Sequence, residues 1–155
     1  MTGWQWVKAV GNFLNLTSVA GLLVGLIGRA RFSRGPRGLL FANEYKLGFP
    51  MAGAFTIGNV VLSKHKRTYF DNAALVRHEE RHSWQYFCLL GFPMLPLYGV
   101  GVVISFLLTG DPASRNPFER LAGLKEGGYV ERPIQPLGKT VTQMFSGLKS
   151  RPRGQ

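Results

Sequence analysis

His78 and His82 stand four residues apart, with Glu79 directly after the first, in the stretch His78-Glu79-Glu80-Arg81-His82. On a helix, positions i and i+4 share a face, so both imidazoles can be turned toward one ion. Glu79 then lies beside that ion, where its carboxylate can take a proton from a metal-bound water. Zinc lowers the pKa of such a water toward ~7, so a carboxylate is a sufficient base at neutral pH. Residue types and spacing are thus those of metal-assisted hydrolysis, with His78 and His82 as zinc ligands and Glu79 as general base. With three His and six Glu in 155 residues, random placement yields the pattern about once in several hundred such chains, which makes coincidence a weak explanation. The plainer alternative is two core histidines held by hydrogen bonds.

A catalytic zinc site takes three protein ligands and keeps one position open. Glu119 is the expected third ligand, in Asn116-Pro117-Phe118-Glu119. Asn followed by Pro marks the start of a short helix, and glutamate at its third position is also what a capping box employs. Glu119 is therefore either a ligand or a cap. His65, in the turn before the motif helix, and Glu126, in a Gly-rich turn, are weaker candidates. Tyr129 or Tyr86 could stabilise an oxyanion, and nothing in the sequence selects between them.

These side chains need a scaffold. A helix is expected from Asp71 or Asn72, both good caps, to about Leu90, where Gly91-Phe92-Pro93-Met94-Leu95-Pro96 breaks it. Leu75, His78, His82, Gln85 and Leu89 share one face of it, while Glu80 and Arg81 point away, toward solvent or lipid headgroups. Residues 54–63, rich in β-branched types and ending in Lys64-His65-Lys66-Arg67, read as a strand. Residues 86–109 carry no charge and are long enough to span a bilayer. A single crossing would put His82 and Glu119 on opposite sides, so Pro93 and Pro96 favour a hairpin, with 97–109 returning as a second helix. Cys88, the only cysteine, sits among apolar residues and is expected to be a small buried hydrophobe.

The segment His78-Glu79-Glu80-Arg81-His82-Ser83-Trp84-Gln85 resembles the HExxHxxQ helix of zincin-type metallopeptidases. It is most similar to the peptidase domains in the cores of contractile-injection-system toxins. There a strand like Phe55-Thr56-Ile57-Gly58-Asn59-Val60-Val61 precedes the motif helix, and a downstream glutamate completes a gluzincin-like site. The chain also resembles a group of small bacterial membrane proteins with the same helix and a following Asn-Pro-Phe-Glu. The likeness covers roughly residues 54–129. The residues before Glu119 and the strongly apolar insertion ahead of it depart from the gluzincin pattern.

Hydropathy points to a membrane. Residues 9–28 hold no charge and have the length of a spanning helix, with Trp4 and Trp6 upstream as interfacial anchors. Arg29, Arg31, Arg34 and Arg37 follow, where a lipid-facing basic segment belongs. One Lys before the apolar run and four Arg after it are the reverse of a cleaved signal peptide. The net charge of +11 is accordingly matched to anionic lipid headgroups rather than to nucleic acid, for which no motif is present. Ten Lys or Arg between Arg29 and Arg81 favour the cytoplasmic face of a bacterial inner membrane.

The expected fold is α+β and mostly helical: a minimal zincin-like core with a short β-sheet and an apolar helical hairpin, plus an N-terminal membrane anchor helix. Its parts are a membrane anchor, either spanning or lying in the interface (1–28), a basic connector (29–53) with a strand candidate at Leu39-Leu40-Phe41-Ala42, the motif domain (54–130) and a basic, Pro-containing tail (131–155) with an amphipathic stretch at 140–148. The function so implied is zinc-dependent hydrolysis of a peptide or protein substrate, with strand 55–62 able to pair with it. A non-catalytic metal-binding or scaffold subunit of a membrane protein complex, with other membrane proteins as partners, is the alternative.

Overall fold

Thr2 and Gln5 form a capping box that opens helix α1 (Gly3–Leu14): Thr2 Oγ1 accepts from Gln5 N, and Gln5 Oε1 accepts from Thr2 N. The helix stops at Asn15, and Leu16 takes the left-handed conformation, φ 67°. Thr17 then starts α2 (Thr17–Ile27), bent by 70° from α1. The expected single anchor over 9–28 is therefore two shorter helices. Asn15 accounts for the break: its side-chain oxygen accepts from both Thr17 N and Thr17 Oγ1, a turn that competes with the helix. Among the described residues no single helix is long and apolar enough to cross a membrane.

The computed structural model describes residues 1–48 and 53–136. The end of the expected connector, 49–52, and the tail from 137 on, with its amphipathic stretch at 140–148, lie outside the described residues. The chain divides into two compact units, Met1–Pro96 and Leu97–Gln155.

In the first unit a four-stranded mixed sheet forms from β1 (Arg31–Arg34), β2 (Leu40–Asn43), β3 (Ala54–Ile57) and β4 (Val60–Ser63), in the order β1-β2-β4-β3. β1 and β2 are antiparallel, β2 and β4 parallel, and β3 and β4 antiparallel. The sheet thus reaches into the segment read as a connector. The expected strand over 54–63 is two strands, because Gly58 turns the chain with φ +61°. A Cβ there would stand 2.4 Å from Ser18 N, so only glycine fits.

Alternation along the strands feeds two cores. Ala42, Tyr45, Val60 and Leu62 face α2, with Leu22, Val24, Phe55 and Ile57 packed around them. Leu39, Phe41 and Val61 face the other way, onto Phe70, Leu75 and Val76. Phe41 and Phe70 stack at 4.2 Å. α3 (Ala73–Cys88) carries the histidine motif; Asn72 caps it, its Oδ1 accepting from Ala74 N and Leu75 N. Leu90 and Gly91, with φ 58° and 104°, end that stretch of chain, and Cys88 at its last helical position is exposed rather than buried.

α4 (Met94–Thr109) begins three residues earlier than expected. Pro96 lies in its first turn, where a missing N–H costs nothing, so it does not act as a breaker. In the second unit α5 (Pro117–Ala122) starts as the sequence implies, with Asn116 Oδ1 accepting from Phe118 N and Pro117 at the first position. The first tail residues are held: Arg132 N donates to Ser114 Oγ at 2.6 Å, and Glu131 pairs with Arg115 at 3.0 Å and Arg120 at 2.8 Å. Those guanidiniums, Arg120 foremost, keep the Glu131 carboxyl below its usual range.

Candidate metal centre

One helical turn puts His78 and His82 on the buried side of α3. Their Nε2 atoms are 3.1 Å apart and the rings stand edge to face. Two nitrogens bound tetrahedrally at ~2.0–2.1 Å from one zinc would sit roughly 3.3 Å apart, so the pair already has the spacing of two ligands. His82 Nδ1 lies 2.8 Å from Gln85 Oε1. That amide oxygen only accepts, so Nδ1 carries the proton and Nε2 keeps its lone pair for a cation. Gln85, the last residue of the motif resemblance, thereby selects the ligand tautomer of His82.

Glu79 is buried as well, and its Oε2 accepts a 2.6 Å hydrogen bond from Thr56 Oγ1. Thr56 sits in β3, an edge strand of the sheet. Nothing in the local sequence marked it, because its role depends on which strand face meets α3. A pattern of one polar residue between Phe55 and Ile57, on the side opposite to theirs, is the only signal available.

Glu80 departs from expectation. It is buried, not directed to solvent or headgroups. Arg37 Nη1 donates to its Oε2 at 2.7 Å, Gln5 Nε2 to its Oε1 at 3.4 Å, and Lys8 Nζ stands 3.9 Å from Oε1. Lys8 is fully buried, also donates to Arg37 O at 3.2 Å, and lies over the Trp84 ring. Burial pushes its pKa down to about 8; Glu80 opposes that shift and Arg37 adds to it. A second polar set locks the next turn: Asn12 Nδ2 donates to Ser83 O and to Asn59 Oδ1, and Ser83 Oγ donates to Asn59 Oδ1. The back of the motif helix is therefore fixed by α1 and by the β3–β4 turn.

In the second unit Glu119 is buried on α5, and its Oε1 accepts from the Tyr98 hydroxyl at 2.5 Å. A capping box would require Glu119 to accept from Asn116 N, but that N–H donates to Ala113 O at 3.0 Å. The cap is supplied by Asn116 alone. Gly101 of α4 makes room for it, since a Cβ there would meet Asn116 Oδ1 at 2.5 Å.

Of the other candidates, His65 stacks on Tyr69 at 4.3 Å. Glu126 lies in the turn after α5, its N–H donating to Gly123 O. Tyr86 is buried, and burial raises its hydroxyl pKa far above the usual value. Tyr129 N donates to Leu124 O, which places it in the same turn as Glu126. Tyr98, which contacts the expected third ligand, carried no sequence signal beyond its place in an apolar helix. No protein-family model, no curated protein and no solved structure matches the chain, so the likeness to zincins rests on the residues of the motif helix and its surroundings.

Proposed function

We propose that the chain is a membrane-associated zinc-dependent peptidase, with zinc held by His78, His82 and Glu119 and with Glu79 as general base. One observation carries the reading: His78 and His82 are buried on one face of α3 with their Nε2 atoms 3.1 Å apart, and the buried Glu79 lies beside them. Two imidazoles and one carboxylate are a ligand set of catalytic zinc, and they leave a position open. Glu79 would not be a ligand.

When bound, zinc would supply an acidified water and polarise the scissile carbonyl. The chain's own part follows from its contacts. Gln85 holds the Nδ1 proton of His82 and so presents Nε2. Thr56 occupies Oε2 of Glu79, leaving Oε1 to accept the proton of the attacking water and pass it to the leaving amine. β3 is an edge strand, so its free backbone groups can pair with an extended peptide beside Glu79. Membrane association is supported by the exposed apolar side chains of α1 and α2, including Trp4 and Trp6, and by the exposed Arg29, Arg31 and Arg34 that follow.

Elemental analysis of the detergent-purified chain should find about one zinc per molecule. Glu79→Gln should retain the metal and lose cleavage of a quenched-fluorescent peptide library. Absence of transition metal, before and after zinc addition, overturns the proposal. Zinc in both proteins with cleavage in neither leaves the second reading, a non-catalytic metal-binding subunit.

A further inference from the structure

The first two helices are built inside out. On α1, Lys8 and Asn12 are 0% exposed, whereas Trp4 is 74% and Leu14 78% exposed. On α2, Thr17 and Ser18 are 0% exposed, whereas Leu26 is 62% and Ile27 69% exposed. A water-facing helix shows the opposite pattern. Single exposed apolar residues are ordinary, but here they follow one another on the outer faces of both helices, with Val7, Val10, Phe13, Val19 and Leu23.

The inner faces limit how such a pair can meet a bilayer. Gly21 and Gly25 press α2 onto the sheet: a Cβ on Gly21 would stand 2.7 Å from Ile57 O, and one on Gly25 2.7 Å from the Phe32 ring. Phe32 lies in β1 between Arg31 and Ser33, with Arg34 next, and both arginines are exposed. Were α2 to cross the hydrocarbon, β1 would be carried in with it. An open sheet edge, its unpaired N–H and C=O groups and its arginines cannot lie there. α1 is bound in the same way, through Lys8 to Glu80 and through Asn12 to Ser83. At 12 and 11 residues, the helices are about 18 and 16 Å long, each roughly half the hydrocarbon thickness.

We infer that α1 and α2 lie in a single leaflet of an anionic bilayer, outer faces among the acyl chains, and that the first unit is attached to one side without crossing. Charge decides the occupant. Arg29, Arg31 and Arg34 follow the apolar face directly and suit anionic headgroups at its rim, where a second copy of this chain would bring arginines against arginines. The inference rests on the membrane association proposed above and needs no metal.

The test uses the full chain with Cys88→Ser, added from outside to preformed phosphatidylcholine–phosphatidylglycerol vesicles. Single cysteines are placed at Leu14 and Leu26, in the apolar face, and at Gly3 and Arg34, on either side of the helix pair. Gly3 has open space around its Cβ position, and Arg34 is exposed. Nitroxide labels at Leu14→Cys and Leu26→Cys should collide with oxygen and lose contact with an aqueous nickel chelate. Gly3→Cys and Arg34→Cys should both react with a membrane-impermeant maleimide outside intact vesicles. Labelling of only one of the two shows a crossing and overturns the inference while leaving membrane association standing. Labels at Leu14 and Leu26 shielded from both quenchers in a dimeric protein show a second copy on this face and overturn it. No vesicle binding at all overturns both readings.

Discussion

Thr56 Oγ1 donates to Glu79 Oε2 across 2.6 Å, and this bond joins an edge strand to the glutamate that directly follows the first histidine of the motif. A buried carboxylate that loses a donor is left uncompensated, at a cost of about 1–3 kcal/mol. Thr56→Val should therefore lower thermal stability and, by freeing the rotamer of the base, reduce peptide cleavage roughly tenfold. Zinc content should not change, and Thr56→Ser should behave like the parent. Parallel cleavage rates and metal analyses of the two variants check this.

Gln85→Leu removes the acceptor that orients His82. Loss of such an outer partner typically weakens a metal site 10–100-fold. Competition with a chromophoric chelator should show a drop of about that size, against complete loss in His78→Ala or His82→Ala.

The proposed site uses Glu119 as a ligand, whereas the cap of α5 is Asn116. Glu119→Gln should weaken zinc binding by orders of magnitude with little loss of fold, because the cap belongs to Asn116. Asn116→Ala should cost on the order of 1 kcal/mol in stability. Unchanged zinc affinity in Glu119→Gln, beside lost zinc in His78→Ala, would put the third ligand elsewhere.

Lys8 predicts a stability slope on the alkaline side. Its folded pKa, about 8, is below the ordinary lysine value of 10.5. Between those values the unfolded chain binds more protons, so this group's contribution to stability rises with pH. Below about 8 its desolvation cost is fully present. Melting temperatures of the parent and Lys8→Met, followed from pH 7 to 10.5, should shift relative to each other in the parent's favour as pH rises through that window.

Local signals carried the motif helix and α5. Asn72 and Asn116 are caps whose side chains bond the next turn, and Pro117 fits a first helical position whatever the rest of the chain does. What the sequence hid depends on distant partners. Glu80 reads as a surface charge until Arg37 and Lys8, 43 and 72 residues away in sequence, arrive beside it. β1 was concealed because Arg31 and Arg34 resemble a solvated linker, yet an edge strand tolerates outward charges. The break at Leu16 was masked by hydropathy, which averages over the side-chain bonds that Asn15 makes to Thr17. Of the candidate centre, the histidine spacing was legible. Gln85 could be named only as part of a pattern, and Thr56 and Tyr98 could not be found without knowing which elements meet.

The Asn12 cluster bears on how the first unit opens. Asn12 donates to Ser83 and Asn59, Asn59 Nδ2 to Ala9 O, and Ser18 Oγ accepts from Asn59 N, so four stretches of chain share a few buried polar atoms. None of these bonds survives the departure of a single member without stranding the others. α1, the β3–β4 turn and α3 should consequently come apart as one cooperative unit, with their amides exchanging against deuterium at a common opening free energy. Anything that loosens the N-terminal helices from their surroundings would then be felt at the histidines in the same event.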